Sequence, residues 1–318
     1  MTVNERKAAI IGAGFVGSAS AFALMQSGLF TEIILIDSNR DKADGEAMDI
    51  SHGVPFCTPV NIHAGDYSEL GDAGVVIITA GAAQKPGETR LDLVAKNVGI
   101  FRSIIPSINE SGFAGILLVV ANPVDILTYA AQKLSTLPAN RVIGSGTTLD
   151  TARLKSELGK HLDVDSRSIH SFIIGEHGDS EIVAWSSANV SGVPINEFCE
   201  LRGHYCDHKG AMERIAADVR DSAYRIIERK GATYYGIAMS VRRICEAIVN
   251  DEKTILPVSN LMKGAYGIEN IVLSMPAIVG KDGVETQIPI SLNEKETIAL
   301  MKSAKTLRQT ADSVGLTE

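Results

Sequence analysis

The strongest constraint on the fold lies near the amino terminus. An apolar run, Ala9-Ile10-Ile11, leads into Gly12-Ala13-Gly14-Phe15-Val16-Gly17, and a second run, Ile33-Ile34-Leu35-Ile36, ends in Asp37. The order reads as strand, glycine turn, helix, strand, acid. Gly12 permits a tight turn, Gly14 lets the backbone approach a pyrophosphate, and Gly17 lets the helix pack against the strand. The helix N-terminus offers free N–H groups and a partial positive charge to that phosphate. Asp37 follows Gly17 by 20 residues, where a carboxylate hydrogen-bonds a ribose diol and repels a 2′-phosphate. The segment predicts a dinucleotide site that favours NAD over NADP.

The first half continues the alternation. Apolar runs at 8–11, 33–37, 74–79, 116–121 and 141–144 suit strands buried on both faces of a parallel sheet. Helical patterns fall between them, at 18–27, 41–51, 91–111 and 125–134. The expected class is α/β, a Rossmann-type doubly wound parallel sheet with ligands at the carboxyl ends of its strands, followed by an α+β substrate domain. Composition changes after Gly144-Ser145-Gly146, so the domains are expected at 1–145 and 146–318. The second half mixes a strand at 170–174, helices at 149–158, 210–230 and 234–250, and hairpin strands at 255–263 and 271–279. Asn293 and Glu296 form a capping box for a last helix, with Leu300, Ala304, Leu307, Ala311 and Val314 on one face.

With 45% hydrophobic and 21% charged residues, the 318-residue chain has the make-up of a globular protein with a large core. Its net charge of −8 argues against a general nucleic-acid or anionic-membrane surface. No stretch reaches the roughly 20 apolar residues of a membrane span, and no signal-peptide pattern opens the chain. The four cysteines have no framework spacing, which suits reduced thiols inside a cell.

Several segments carry candidate chemistry. His177 stands between glycines in Gly175-Glu176-His177-Gly178-Asp179, after the strand at 170–174. Histidine exchanges protons near neutral pH, yet alone it reads first as a surface turn. Asp150 and Arg153 share a helix face, either as a surface ion pair or aimed into a cleft. The polar segment from Gln84 to Arg90 follows the third core strand, as a lid or as a solvated connection. Asn122 ends the next core strand, at the ligand edge or in a simple turn. Cys199, His204, Cys206 and His208 fit no standard zinc spacing and read as solvated surface, so no metal is expected.

Taken together, GAGFVG, QKPGETR, NPVD, LDTAR, GEHGDS and KGATYYGIA stand in an order that resembles the lactate/malate dehydrogenase family, and within it the bacterial L-lactate dehydrogenases. The resemblance runs from Ala9 to the last helix. It implies hydride transfer between NAD and a small 2-hydroxy acid, with His177 as acid/base, Asp150 as its partner and Arg153 as the fork for the substrate carboxylate. Arg90 matches a lid arginine that polarises the carbonyl. Asn122 matches the residue that bonds the reacting oxygen, and Thr233 lies in the family's substrate wall. Gly12, Gly14, Phe15, Val16, Gly17, Asp37, Gly81 and Asn122 are the implied cofactor positions.

Gln84 stands where malate enzymes carry an arginine for a second carboxylate. A neutral amide there suits the methyl group of pyruvate. The resemblance further implies a cytoplasmic homotetramer of glycolysis and pyruvate fermentation. Many bacterial relatives bind fructose 1,6-bisphosphate between subunits. His170 matches their histidine, but Lys155 stands where activated relatives usually have arginine, so weak or absent activation is expected. Two alternatives are an L-2-hydroxy-acid dehydrogenase for malate or longer-chain substrates, and a non-catalytic dinucleotide-binding protein.

Overall fold

The computed structural model describes residues 3–82, 87, 89–203 and 208–316. Its first half contains β1 (Asn4–Ile11), α1 (Phe15–Ser27), β2 (Glu32–Ile36), α2 (Arg40–Ser51), β3 (Asn61–Ala64), β4 (Ala73–Ile78), α3 (Arg90–Glu110), β5 (Ile116–Val119), α4 (Val124–Leu134) and β6 (Val142–Gly144). The six strands run parallel in the order β3-β2-β1-β4-β5-β6. The strand order reverses at β1 and β4, which opens a crevice beyond their carboxyl ends. Ile10, Ile33, Ile34, Leu35, Ile77 and Ile78 are fully buried; each such side chain contributes about 1.5–3 kcal/mol of hydrophobic stabilisation. α3 and α4 pack on one face of the sheet, α1 and α2 on the other, as the doubly wound reading expects.

β3 has no counterpart in the sequence reading. It is four residues long, two of them Asn61 and His63, and only Ile62 is buried. So short and polar an edge strand carries no periodic signal.

The second half begins with α5 (Thr148–Leu162). It continues through β7 (Ile169–His170), β8 (Ile173–Ile174), β9 (Ile182–Val183), β10 (Asn189–Val190), β11 (Val193–Pro194), α6 (Ile195–Leu201) and α7 (His208–Lys230). It closes with α8 (Tyr235–Val249), β12 (Thr254–Lys263), β13 (Glu269–Gly280), β14 (Gly283–Gln287) and α9 (Glu294–Ser313). The single strand expected at 170–174 is in fact two. β7 pairs with β10 and β8 with β9, in different sheets. The Ile173 N–H, at the start of β8, is taken by Thr151 Oγ1 at 2.9 Å.

β12, β13 and β14 form an antiparallel meander that continues the parallel sheet, through Ser259 paired with Gly144. α8 packs in the same core as α1 and β1, and α9 in the core beneath α3 and α4. The capping box of α9 forms as expected, and Leu300, Ala304, Leu307 and Ala311 are buried. A separate cluster joins α5, α6 and α7. Cys199 belongs to it and is fully buried, so the solvated reading fails for this residue; an apolar thiol fills that core. His204 and Cys206 lie outside the described residues. Among the described residues, no helix is long and apolar enough to cross a membrane.

Candidate active site

The glycine turn is built as its spacing demands. Gly12 has φ +107°, and a Cβ there would lie 2.6 Å from Ala80 N. A Cβ on Gly17 would fall 1.8 Å from Gly12 O, so only hydrogen lets α1 start this close to the turn. A Cβ on Gly14 would meet nothing within 4 Å. Packing therefore does not demand glycine at 14, and the open space before it is where a bulky group can approach.

Gly14 caps α1 without a side-chain bond, and no acid occupies the first turn. The Ser18 N–H donates to Gly14 O at 2.9 Å, so the N–H groups of Phe15, Val16 and Gly17 precede the helical ladder. They suit a phosphate. Asp37 lies alongside: Oδ2 accepts from Ala13 N at 2.7 Å and Oδ1 from Asn39 N at 2.9 Å. These bonds fix the carboxylate beside the turn while its remaining lone pairs can still accept from a diol. The residues present fit a dinucleotide.

Gly81 follows β4 and Asn122 follows β5, both at the same carboxyl edge. Buried Asn97 of α3 ties them together. It accepts from Ala82 N at 2.8 Å and donates to Asn122 O at 2.8 Å. The sequence reading missed Asn97, an amide inside the apolar stripe of a helix. Phe15 stacks on Tyr234, with ring centroids 5.3 Å apart and planes at 23°. The segment holding half-buried Thr233 is thereby set against the glycine turn.

On the other side of the crevice, Asp150, Arg153 and His177 meet. His177 Nδ1 lies 2.5 Å from Asp150 Oδ2, and Arg153 Nη1 donates to Asp150 Oδ1 at 2.9 Å. The Asp150 side chain is 3% exposed and that of His177 is 24%, so the carboxylate is sealed in while the imidazole stays reachable. Of the two readings left open for Asp150 and Arg153, the surface pair is excluded. Burial would raise the Asp150 carboxyl, but the charges of His177 and Arg153 outweigh it and hold it below its usual range. Burial would lower His177, yet Asp150, then Asp125 and Glu181, carry it up to about 9.

Asp125 is the second omission. It sits in the first turn of α4 and is 2% exposed. Its Oδ2 accepts the His177 N–H at 2.7 Å and its Oδ1 accepts Ser259 Oγ at 2.6 Å. Burial pushes its carboxyl up to about 6, against the bonds from Ser259 and the His177 N–H. An acid in so apolar a helix was the available signal. α9 adds a clasp: Ser303 Oγ accepts Glu176 N at 2.9 Å and lies 3.0 Å from Ser180 Oγ, on either side of His177.

Ligating atoms of Asp150, His177 and Glu181 lie within 4.8 Å of one another. Both Asp150 oxygens are already engaged, one of them by a guanidinium whose charge opposes a metal ion. Arg90 is the first residue of α3; its side chain, like Gln84, lies outside the described residues. Lys155 is half-buried on α5, where burial lowers its amine, and His170 is exposed on β7. No hydrogen bond or ion pair among the described residues joins those two.

The chain is similar to known dehydrogenases over nearly its whole length. A family model for the lactate/malate dehydrogenase NAD-binding domain matches residues 6–144, and one for the alpha/beta C-terminal domain matches 147–315. L-lactate dehydrogenase 1 of Clostridium acetobutylicum is 53% identical over 312 residues, 98% of this chain and 99% of that protein. An L-lactate dehydrogenase of Acetivibrio thermocellus is 51% identical, covering 96% of each. Among solved structures, a lactate dehydrogenase from a deep-sea metagenome of the Medee basin matches with a TM-score of 0.95 at 47% identity, covering 99% of this chain and all of that one. The ligand-bound minor L-lactate dehydrogenase of Enterococcus mundtii matches with a TM-score of 0.94 at 46% identity, covering 97% and 98%. With both domain models satisfied from end to end, the chain belongs to the lactate/malate dehydrogenase family.

Proposed function

We propose that this protein is an NAD-dependent L-lactate dehydrogenase that interconverts pyruvate and L-lactate. The observation that carries the reading is the buried Asp150 carboxylate, which holds an imidazole on one oxygen and a guanidinium on the other. Bound NADH supplies the hydride. With Nδ1 committed to Asp150, His177 exchanges its proton through Nε2, to the carbonyl oxygen in reduction and from the hydroxyl in oxidation. Asp150 stabilises the imidazolium and fixes the ring's orientation. Arg153 uses only Nη1 on Asp150, so its remaining donors suit the substrate carboxylate as a fork. The buried Asp125 bond to the His177 backbone keeps the imidazole in place.

Arg90 and Gln84 complete the site in this reading. Arg90 polarises the carbonyl, Gln84 accommodates the methyl group, and the segment between them excludes water. Asn122 bonds the reacting oxygen, and Thr233 forms part of the wall. The protein acts as a cytoplasmic homotetramer, and Lys155, lacking the arginine fork, leaves it little activated by fructose 1,6-bisphosphate.

NADH oxidation across pyruvate, oxaloacetate and longer 2-oxo acids, each with and without the bisphosphate, tests the reading. Pyruvate should give the highest kcat/KM, with its half-saturation little changed by the effector. Preference for another acid overturns the substrate, a large fall in half-saturation overturns the effector reading, and no oxidation overturns the activity. Light scattering tests the tetramer.

A further inference from the structure

A further buried carboxyl, besides Asp125, lies against the proton-handling pair. Glu181 precedes β9, is 9% exposed, and donates its backbone N–H to Gly178 O at 3.0 Å. Its carboxylate comes within 4.8 Å of the ligating atoms of both Asp150 and His177. Asp150 and Arg153 face it from α5, His177 from its own loop, and Arg220 from α7. Hydride transfer as derived above gives Glu181 no task. A carboxyl buried beside another carboxylate is costly to ionise.

We propose that Glu181 is a positioning residue that sets the proton affinity of the His177 imidazole, so that the proton is governed by Glu181 together with Asp150 and the Asp125 carboxyl behind the loop. This rests on the reading of His177 as the acid/base. Burial and the Asp150 charge push the Glu181 carboxyl up to about 8, against the pull of His177, Arg220 and Arg153. Below that pH it is neutral and adds no repulsion beside Arg153, where the substrate anion is to bind. Above it, the new negative charge attracts the imidazolium and delays loss of the His177 proton. The two groups titrate as a unit, and the acid form that reduction needs survives further into the alkaline range.

The test is Glu181→Gln, which keeps the shape and removes the charge, with Glu181→Asp keeping the charge. In Glu181→Gln the alkaline limb of kcat/KM for pyruvate should move about one pH unit lower, the scale expected for one partly screened charge at this separation. In Glu181→Asp it should stay nearer the parent. An NMR titration of the 15N-labelled His177 ring, assigned by its absence from His177→Gln, should show the same displacement without turnover. Coincident His177 titrations in parent and Glu181→Gln overturn the proposal, even if kcat falls. A parent protein that reduces no 2-oxo acid overturns the activity instead, and the ring titration still decides the part played by Glu181.

Discussion

Asp150→Asn isolates the contact on which proton transfer depends. In the parent, His177 is raised from 6.5 to about 9, mainly by Asp150 working against burial. That difference corresponds to roughly 3 kcal/mol favouring the imidazolium. Asparagine removes the charge but leaves the burial, so the imidazole should return to about 6.5 or below. At pH 8 the protonated fraction then falls from about 90% to about 3%, a loss of roughly 30-fold before any change in orientation. At pH 6 the protonated fraction falls far less, and what is lost there reports orientation and the released Arg153. The assay is steady-state pyruvate reduction from pH 5.5 to 9.5, with NADH affinity from fluorescence as the control. The alkaline limb should move down by about 2.5 units, and kcat/KM should fall much further at pH 8 than at pH 6. A limb that stays near 9, or equal losses at both pH values, refutes Asp150 as the source of the shift.

The glycine turn gives a paired prediction. Gly17→Ala drives a methyl into Gly12 O and should cost about 1–3 kcal/mol of stability, read as a fall of several degrees in Tm, together with loss of NADH binding. Gly14→Ala meets no protein atom, so its Tm should hold while NADH affinity falls about tenfold, because the methyl crowds the ligand's space; unchanged affinity would remove Gly14 from the cradle. Asp37→Ala should relax discrimination against NADP, seen as a higher ratio of NADPH to NADH kcat/KM; an unchanged ratio counts against the diol reading. Gln84→Arg should shift preference from pyruvate toward oxaloacetate, and unaltered relative kcat/KM values for the two acids would show that position 84 does not sort substrates.

What the sequence made legible follows from how each signal is written. The glycines, Asp37 and the apolar strands are local: their spacing alone states the turn, the helix start and the sheet, and the structure places them accordingly. The Asp150–Arg153 pair was visible as a helix-face spacing, but its burial was not, because it depends on distant segments: Thr147, just before the helix, bonds β8 and β12, and His177 reaches Asp150 from its own loop. Asp125, Asn97 and Ser303 were missed for the same reason. Each is a polar residue in an otherwise ordinary helix, and its partner lies 52, 25 or 127 residues away. The strand at 170–174 failed because an apolar run does not reveal that its two ends serve different sheets.

The meander that continues the parallel sheet has a consequence for how the molecule can be divided. Cut after residue 145, the amino-terminal piece would keep every strand of its nucleotide fold yet expose the rim of β6, where Ser259 now pairs with Gly144. It would also lose α8 from the flank of α1, baring side chains that are fully covered in the intact chain. A severed rim and a stripped flank are the features through which isolated sheets stick to one another. Division of labour between holding a nucleotide and moving a proton is therefore not division into separable bodies.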